Sequence, residues 1–312
     1  MAQPPNVSLR RSVQRGRRGT RLWAVTLPVA AAMGLAACAS GDSTPTPPAP
    51  QVAFDQRLAD KVPDAIAEDG LLEVGTDPSY PPMEMLTTDG TSVEGVDIDL
   101  ATGIATILGL DPEFRSEAYT AIPTSVRSGR LELGMASLSM DPKEELDTNA
   151  VLYFEAGTQL VRRKAETDLT PQNMCGYRIA TVEGAIQVAQ LTTASRACRE
   201  AGSQPIEITP ASDQQAVTDL VVTGQAQGMV TDSPAATFAV AEFRRELAAP
   251  GEPYRVLPYG ALTSVEFKKF ARAVRGAIQN MIDSGYYDAI LDKWGVRDGA
   301  ISKSKIRWAT GD

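Results

Sequence analysis

Beyond residue 70 the apolar positions follow two rhythms, one of strands and one of helices. Residues 71–76 have the length and composition of a strand. Residues 97–110 follow the helical period, with Ile98, Ala101, Ile104, Ala105 and Leu108 on one face. Residues 113–115 read as a short strand, 122–128 as a helix and 131–137 as a strand, before a turn at Asp141-Pro142. A second series repeats the plan: strand 177–182, helix 186–201, strand 206–208, helix 213–223, strand 226–231 and helix 233–247. A returning strand over 256–262 and closing helices over 267–284 and 287–294 complete it. Strand and helix alternating in two series predict two α/β lobes with parallel-rich sheets. In such sheets ligands gather past the carboxyl ends of the strands. Ser137 and Ser139, at the end of 131–137, are therefore candidate donors to a small polar ligand.

The first residues follow a different logic. Residues 1–21 carry six arginines and no acid, and an apolar run of small residues follows over 22–37. This is the three-part form of a secretory signal, too short for a good membrane span. It ends Leu35-Ala36-Ala37-Cys38, which resembles the lipobox of bacterial lipoproteins. That resemblance implies cleavage before Cys38 and attachment of lipid to it, with more than one acyl chain and palmitate among them. Residues 39–50, ASGDSTPTPPAP, cannot build a core and read as an extended tether. Residues 51–68 show helical spacing through Phe54, Leu58, Val62 and Ile66.

Composition then narrows the chemistry. The chain of 312 residues contains no histidine, which excludes Ser-His-Asp and Cys-His catalysis and histidine metal sites. No cofactor or metal is expected, and no catalytic residue. Cleavage of the signal takes away six positive charges and shifts the formal net charge from −9 to −15. Such a surface repels nucleic acid and anionic headgroups, so membrane attachment falls to the lipid on Cys38. Cys175 and Cys198 remain after export, out of the reducing cytosol, where they read either as a disulfide or as two thiols.

Several segments, in order, resemble one family. They are VGTDPSY-PPMEM from Val74, GVDIDLA from Gly95, GMASLS from Gly134, MVTDSPAA from Met229 and DSGYYDAILDKWGV from Asp283. Together they resemble the family 3 extracellular solute-binding proteins, the amino-acid-capturing receptors of ABC importers. The cysteine pair and the ending WGVRDGAI are similar to an actinobacterial subgroup. The resemblance implies a type II periplasmic-binding-protein fold, two lobes joined by two hinge strands that cross near 157–162 and 256–262. It divides the chain into a signal (1–37), a lipidated tether (38–68), lobe one (69–158 plus 258–312) and lobe two (159–257). It implies a monomer that closes around a ligand and presents it to a membrane permease.

The same resemblance implies the site. Asp77 and Tyr80 follow the first strand and would meet the ligand's amino end or side chain. Tyr119 would stack on it, and Ser137 and Ser139 would donate to it. Gln187 would line lobe two. Asp232 would pair with an ammonium group while standing at a helix N-cap position. Asp97 and Asp99 would cap the helix they begin and complement its dipole. Two departures stand out. Where the family usually has an arginine that forks onto the ligand's carboxylate, this chain has Glu144 or a deletion between Glu144 and Glu145, and no arginine lies between Arg130 and Arg162. Where the family often has Gly-Thr-Thr, this chain has Gly184-Ala185-Ile186. Each charge-assisted hydrogen bond is worth about 1.5–3 kcal/mol. The two losses together remove on the order of 100-fold in affinity for an α-carboxylate. The expected ligand is therefore a small polar amino-acid-like or amine solute that is cationic or lacks a free α-carboxylate, such as an amine, a polyamine or a quaternary ammonium compound, with Asp77, Asp232 and Glu144 as counter-charges and Tyr80 and Tyr119 as cation–π faces. An amino-acid receptor that uses Lys143, Arg162 or backbone amides is one alternative. The others are a receptor that has lost binding and serves as an interaction module, and a dehydratase-like enzyme on the same scaffold.

Overall fold

The computed structural model describes residues 50–143 and 145–309. The export signal, Cys38 and Glu144 lie outside the described residues. The helical spacing of 51–68 resolves into α1 (Gln56–Ala59) and α2 (Asp64–Ala67) rather than one helix. Pro63 stands between them as the N-cap of α2, a place where a missing N–H costs nothing. Strand β1 (Leu71–Thr76) follows the predicted bounds. Next come β2 (Ser79–Tyr80), β3 (Glu84–Leu86) and β4 (Val93–Glu94), a small antiparallel sheet. The first series continues as α3 (Val96–Leu108), β5 (Asp111–Ser116), α4 (Ile122–Arg127) and β6 (Leu133–Gly134). Strand β6 is shorter than predicted, and beyond it Ser137 takes the left-handed conformation (φ 51°), which ends the extended run.

A long strand, β7 (Asn149–Arg163), joins the two series. The second runs β8 (Arg178–Val182), α5 (Ile186–Glu200), β9 (Glu207–Ala211), α6 (Gln214–Val222), β10 (Gly228–Asp232), α7 (Ser233–Glu242) and β11 (Leu247–Ala248). Helix α7 stops five residues before the predicted end, since Leu247 and Ala248 pair with β7 instead. Strand β12 (Tyr254–Thr263) returns, followed by α8 (Lys268–Ser284), α9 (Tyr286–Trp294) and β13 (Ile306–Arg307).

The main sheet runs β5-β1-β6-β12-β7-β10-β8-β9. Pairing is parallel within each wing, β5-β1-β6 on one side and β10-β8-β9 on the other. The antiparallel pair β12 and β7 runs between the wings, from Tyr254 opposite Thr158 to Thr263 opposite Asn149. The cores divide along β7. Val151, Tyr153, Phe154 and Ala156 pack with α3, α8 and α9, whereas Leu160 and Val161 pack with the second series. One strand thus contributes side chains to the apolar clusters of both series. Cys175 and Cys198 are bonded, with Cα atoms 5.6 Å apart, and tie the segment before β8 to α5.

Candidate functional site

Between the lobes lies a narrow cavity of about 30 Å³. Asp77, Tyr80, Tyr119, Ser137 and Ser139 line it from the first series, and Gln187 and Asp232 from the second. Each sits where the main strands deliver it: Asp77 just past β1, the serines just past β6, Gln187 in the first turn of α5, Asp232 at the end of β10. Ser79, Glu84, Thr181, Asp213, Gln214 and Thr231 complete the polar lining and were not singled out from the sequence. Their positions carry no local signature; they face the cavity because of where β2, β3, β8, α6 and β10 meet.

Asp232 is the most heavily bonded of these groups. Gln187 Nε2 donates to its Oδ1 at 2.5 Å, while the hydroxyls of Tyr259 and Tyr80 donate to Oδ2 at 2.6 and 3.1 Å. It stands at the N-cap position of α7, yet its side chain makes no capping bond and is spent on these donors. Burial raises its pKa, and the three donors oppose the rise. Tyr80 reaches Asp232 across 152 residues of sequence and also approaches Thr231 Oγ1 at 3.3 Å. This ring therefore bridges the two walls. Asp77 accepts from Ser79 Oγ at 2.7 Å and from the backbone N–H of Tyr119 at 2.9 Å, which fixes the 3₁₀ turn Tyr119–Ala121 at the cavity edge.

Behind Ser137 lies a buried acid pair. Gly95 makes it possible: its φ is 138°, and a Cβ there would meet Met83 O at 2.2 Å. The start of α3 thus presses against β3, with Asp97 N–H donating to Met83 O at 2.8 Å. Asp97 and Asp99 do not cap α3 as expected; the N-cap is Gly95, with no side-chain bond. Asp97 Oδ2 instead accepts from Ser137 N–H at 2.8 Å and from the Tyr153 hydroxyl at 2.7 Å. Asp99 binds Lys293 and Trp294. The hydroxyl of Ser137 is turned toward Glu84 Oε2 (3.3 Å) and Asp97 Oδ2 (3.4 Å), and Ser139 lines the cavity beside it.

Glu84 and Asp97 are both fully buried, and burial is the first cause of the rise in each pKa. Asp97 Oδ1 is buried without a hydrogen-bond donor from any other group. A proton kept on Glu84 and given to Asp97 satisfies it, with Glu84 raised further by the Asp97 charge. Asp97 itself is raised from 3.8 to about 6. The native state therefore binds more protons than the unfolded chain between about pH 4 and 6, and stability falls as pH rises through that window. Glu84→Gln, which donates to Asp97 at every pH, should flatten this loss by on the order of 1–3 kcal/mol. Urea midpoints at about pH 4.5 and 7 measure it. Glu132, pushed up to about 7 by burial, moves both proteins alike. Parallel pH slopes in the two proteins would remove the shared proton.

No lysine or arginine lines the cavity among the described residues. Lys143 is exposed on the turn after β6, where its N–H bonds Asp141. Arg162, on β7, points its guanidinium at the carbonyls of Arg163 and Lys164. Ile186 lines the cavity with a hydrocarbon side chain.

Residues 72–297 match the model of the bacterial extracellular solute-binding proteins, family 3, and the chain belongs to that family. It is a solute-binding receptor with a two-lobed α/β periplasmic-binding-protein fold. It is 26% identical over 283 residues to the arginine-binding protein ArgT of Corynebacterium glutamicum, an alignment that covers 89% of this chain and 92% of ArgT. Among solved structures it resembles a mutant of ArgBP from T. maritima, with a TM-score of 0.67 at 22% identity over 74% of this chain and 98% of that one. It also resembles the ancestral amino acid-binding protein AncCDT-1, a precursor of cyclohexadienyl dehydratase, with a TM-score of 0.63 at 25% identity over 74% and 98% of the two chains.

Proposed function

We propose that this receptor captures a small cationic solute without an α-carboxylate and hands it to an ABC permease. One observation carries the reading. Four carboxyl side chains, of Asp77, Glu84, Asp213 and Asp232, line the cavity with no lysine or arginine among the described residues. A ligand carboxylate entering such a cavity loses its water and finds no lysine or arginine to pair with, while the ionised acids repel it. Asp77, Asp232 and Glu144 supply the counter-charge, Tyr80 and Tyr119 the flanking rings, Ser139 and Gln187 polar contacts, and Ser137 the turn that shapes the wall. Lobe one comprises 69–158 plus 258–312 and lobe two 159–257, hinged where β7 and β12 leave one core for the other; the division of the cores along β7 supports this. Residues 1–37 direct export, and Cys38 carries the lipid that holds the monomer at the outer face of the cell membrane through the tether 38–68. The protein acts by binding and not by catalysis: a dehydratase substrate rich in carboxylates suits this wall badly.

Matched pairs test the ligand class. Arginine with agmatine, lysine with cadaverine, and glycine betaine with tetramethylammonium each differ by a carboxylate. Calorimetry should find the carboxylate-free member at least about tenfold tighter in every pair that binds. Tighter binding of the carboxylate members would overturn the proposal. A second reading, an α-amino acid ligand, draws on α5. Its first turn, with the N–H groups and positive dipole end of a helix, lies on the cavity wall at Ile186 and Gln187. The named arginine-binding relatives favour it, and the arginine–agmatine pair decides between the two.

A further inference from the structure

Asp232 is held by donors of two kinds. Tyr80 and Gln187 line the cavity, where a solute can compete for their hydrogen bonds. Tyr259 does not line it. Its side chain is fully buried in the apolar core of the first series, yet its hydroxyl donates at 2.6 Å to Oδ2 of Asp232, at the end of β10 in the second. A solute in the cavity therefore meets Asp232 without meeting Tyr259.

The phenol is fixed from several sides. Its ring stacks on Phe154, with centroids 5.6 Å apart and planes at 27°, and lies tilted against Tyr153 at 6.2 Å. Its backbone stands opposite Phe154 of β7 on one side and opposite Ser139, a cavity-lining residue, on the other. Met140 N–H donates to Pro258 O at 2.8 Å and Gly260 N–H to Leu138 O at 2.9 Å, which locks the strand on either side of the tyrosine. A donor held this firmly sets the direction of the carboxylate, and its bond favours the charged form. Burial raises the pKa of Asp232, and Tyr259 comes first among the three donors that oppose the rise.

We propose that Tyr259 is a positioning residue for solute binding: from outside the cavity, it keeps the Asp232 carboxylate charged and fixed at the wall. This role rests on the reading above that Asp232 meets the solute's cation, and it holds for an amine and for an α-amino acid alike.

Tyr259→Phe keeps the stacked ring and removes the hydroxyl. Carbon-13 NMR of aspartate-labelled protein, with Asp232→Asn to assign the signal, reads the carboxyl directly. Its titration midpoint should move up by about one pH unit in the variant, because a donor to the charged form is gone. The other titratable groups around the cavity are the same in both proteins: Asp77, Glu84, Tyr119 and Asp213 on the wall, and Tyr80 at Asp232 itself. Calorimetry with arginine or agmatine, whichever binds the wild type more tightly, should show affinity lost on acidification at a pH higher by the same amount. A role confined to folding would lower the melting temperature and leave both midpoints in place, which overturns the proposal. A carboxyl midpoint that moves while the binding profile stays also overturns it. Arginine as the tighter probe, with both midpoints moved, supports the role of Tyr259 and overturns the carboxylate-free reading instead.

Discussion

Asp232→Asn abolishes the thermal stabilisation that the ligand confers while the protein remains folded. The asparagine keeps the shape and one acceptor oxygen, so Tyr259 retains its partner, whereas the new amide group faces the amide of Gln187. Removing one partner of a buried charge pair costs about 2–5 kcal/mol in binding, or roughly 30- to several-thousand-fold. Asp232→Ala strands three donors at once, those of Gln187, Tyr259 and Tyr80, and should in addition cost about 2–4 kcal/mol of stability. Urea unfolding without ligand separates the two losses, and calorimetry reads the binding. An asparagine variant that binds like the wild type would show that the charge at this position plays no part in recognition.

The double variant Glu144→Arg with Ile186→Thr should turn the receptor toward α-amino acids. It restores the guanidinium fork and the hydroxyl that the family resemblance implies for a carboxylate, and it takes away one acid. With each charge-assisted bond worth about 1.5–3 kcal/mol, arginine affinity should rise on the order of 100-fold. Cations without a carboxylate should weaken in the same variant, since an acid proposed as a counter-charge becomes a cation. Titration of arginine and agmatine into both proteins measures the exchange. An unchanged ratio would mean that the two departures from the family pattern do not set the ligand.

How far such residues can be read from sequence differs from element to element. Strand β1 appears at its predicted bounds, and α5 and α6 within a residue of theirs, because one face of each is buried and the period is clean. Strand β7 carries no such period. Its stretch NAVLYFEAGTQLVRR is buried on both faces for most of its length, so polar and apolar positions do not alternate. Only the family resemblance pointed to a crossing there, over 157–162, less than half of the strand that forms. The sheet β2-β3-β4 is built of strands of two or three residues, too short for any pattern. Asp97 shows a different limit. An acid in the first turn of a helix normally serves the helix, and nothing local says that Gly95 brings β3 close enough to bury it against Glu84.

The sequence by itself determined two α/β series and the absence of histidine chemistry, and gave as expectations the export signal and the departures at Glu144 and Ile186 from the family pattern. These follow from residue identity and short-range order. The tertiary structure decided what the cleft acids do. Asp232 meets partners 27, 45 and 152 residues away, and Asp77 is tied to a backbone 42 residues on. Hydrogen bonds act over about 3 Å, so whether a carboxylate is open to a ligand's N–H or already filled depends on which distant donors the fold brings to it.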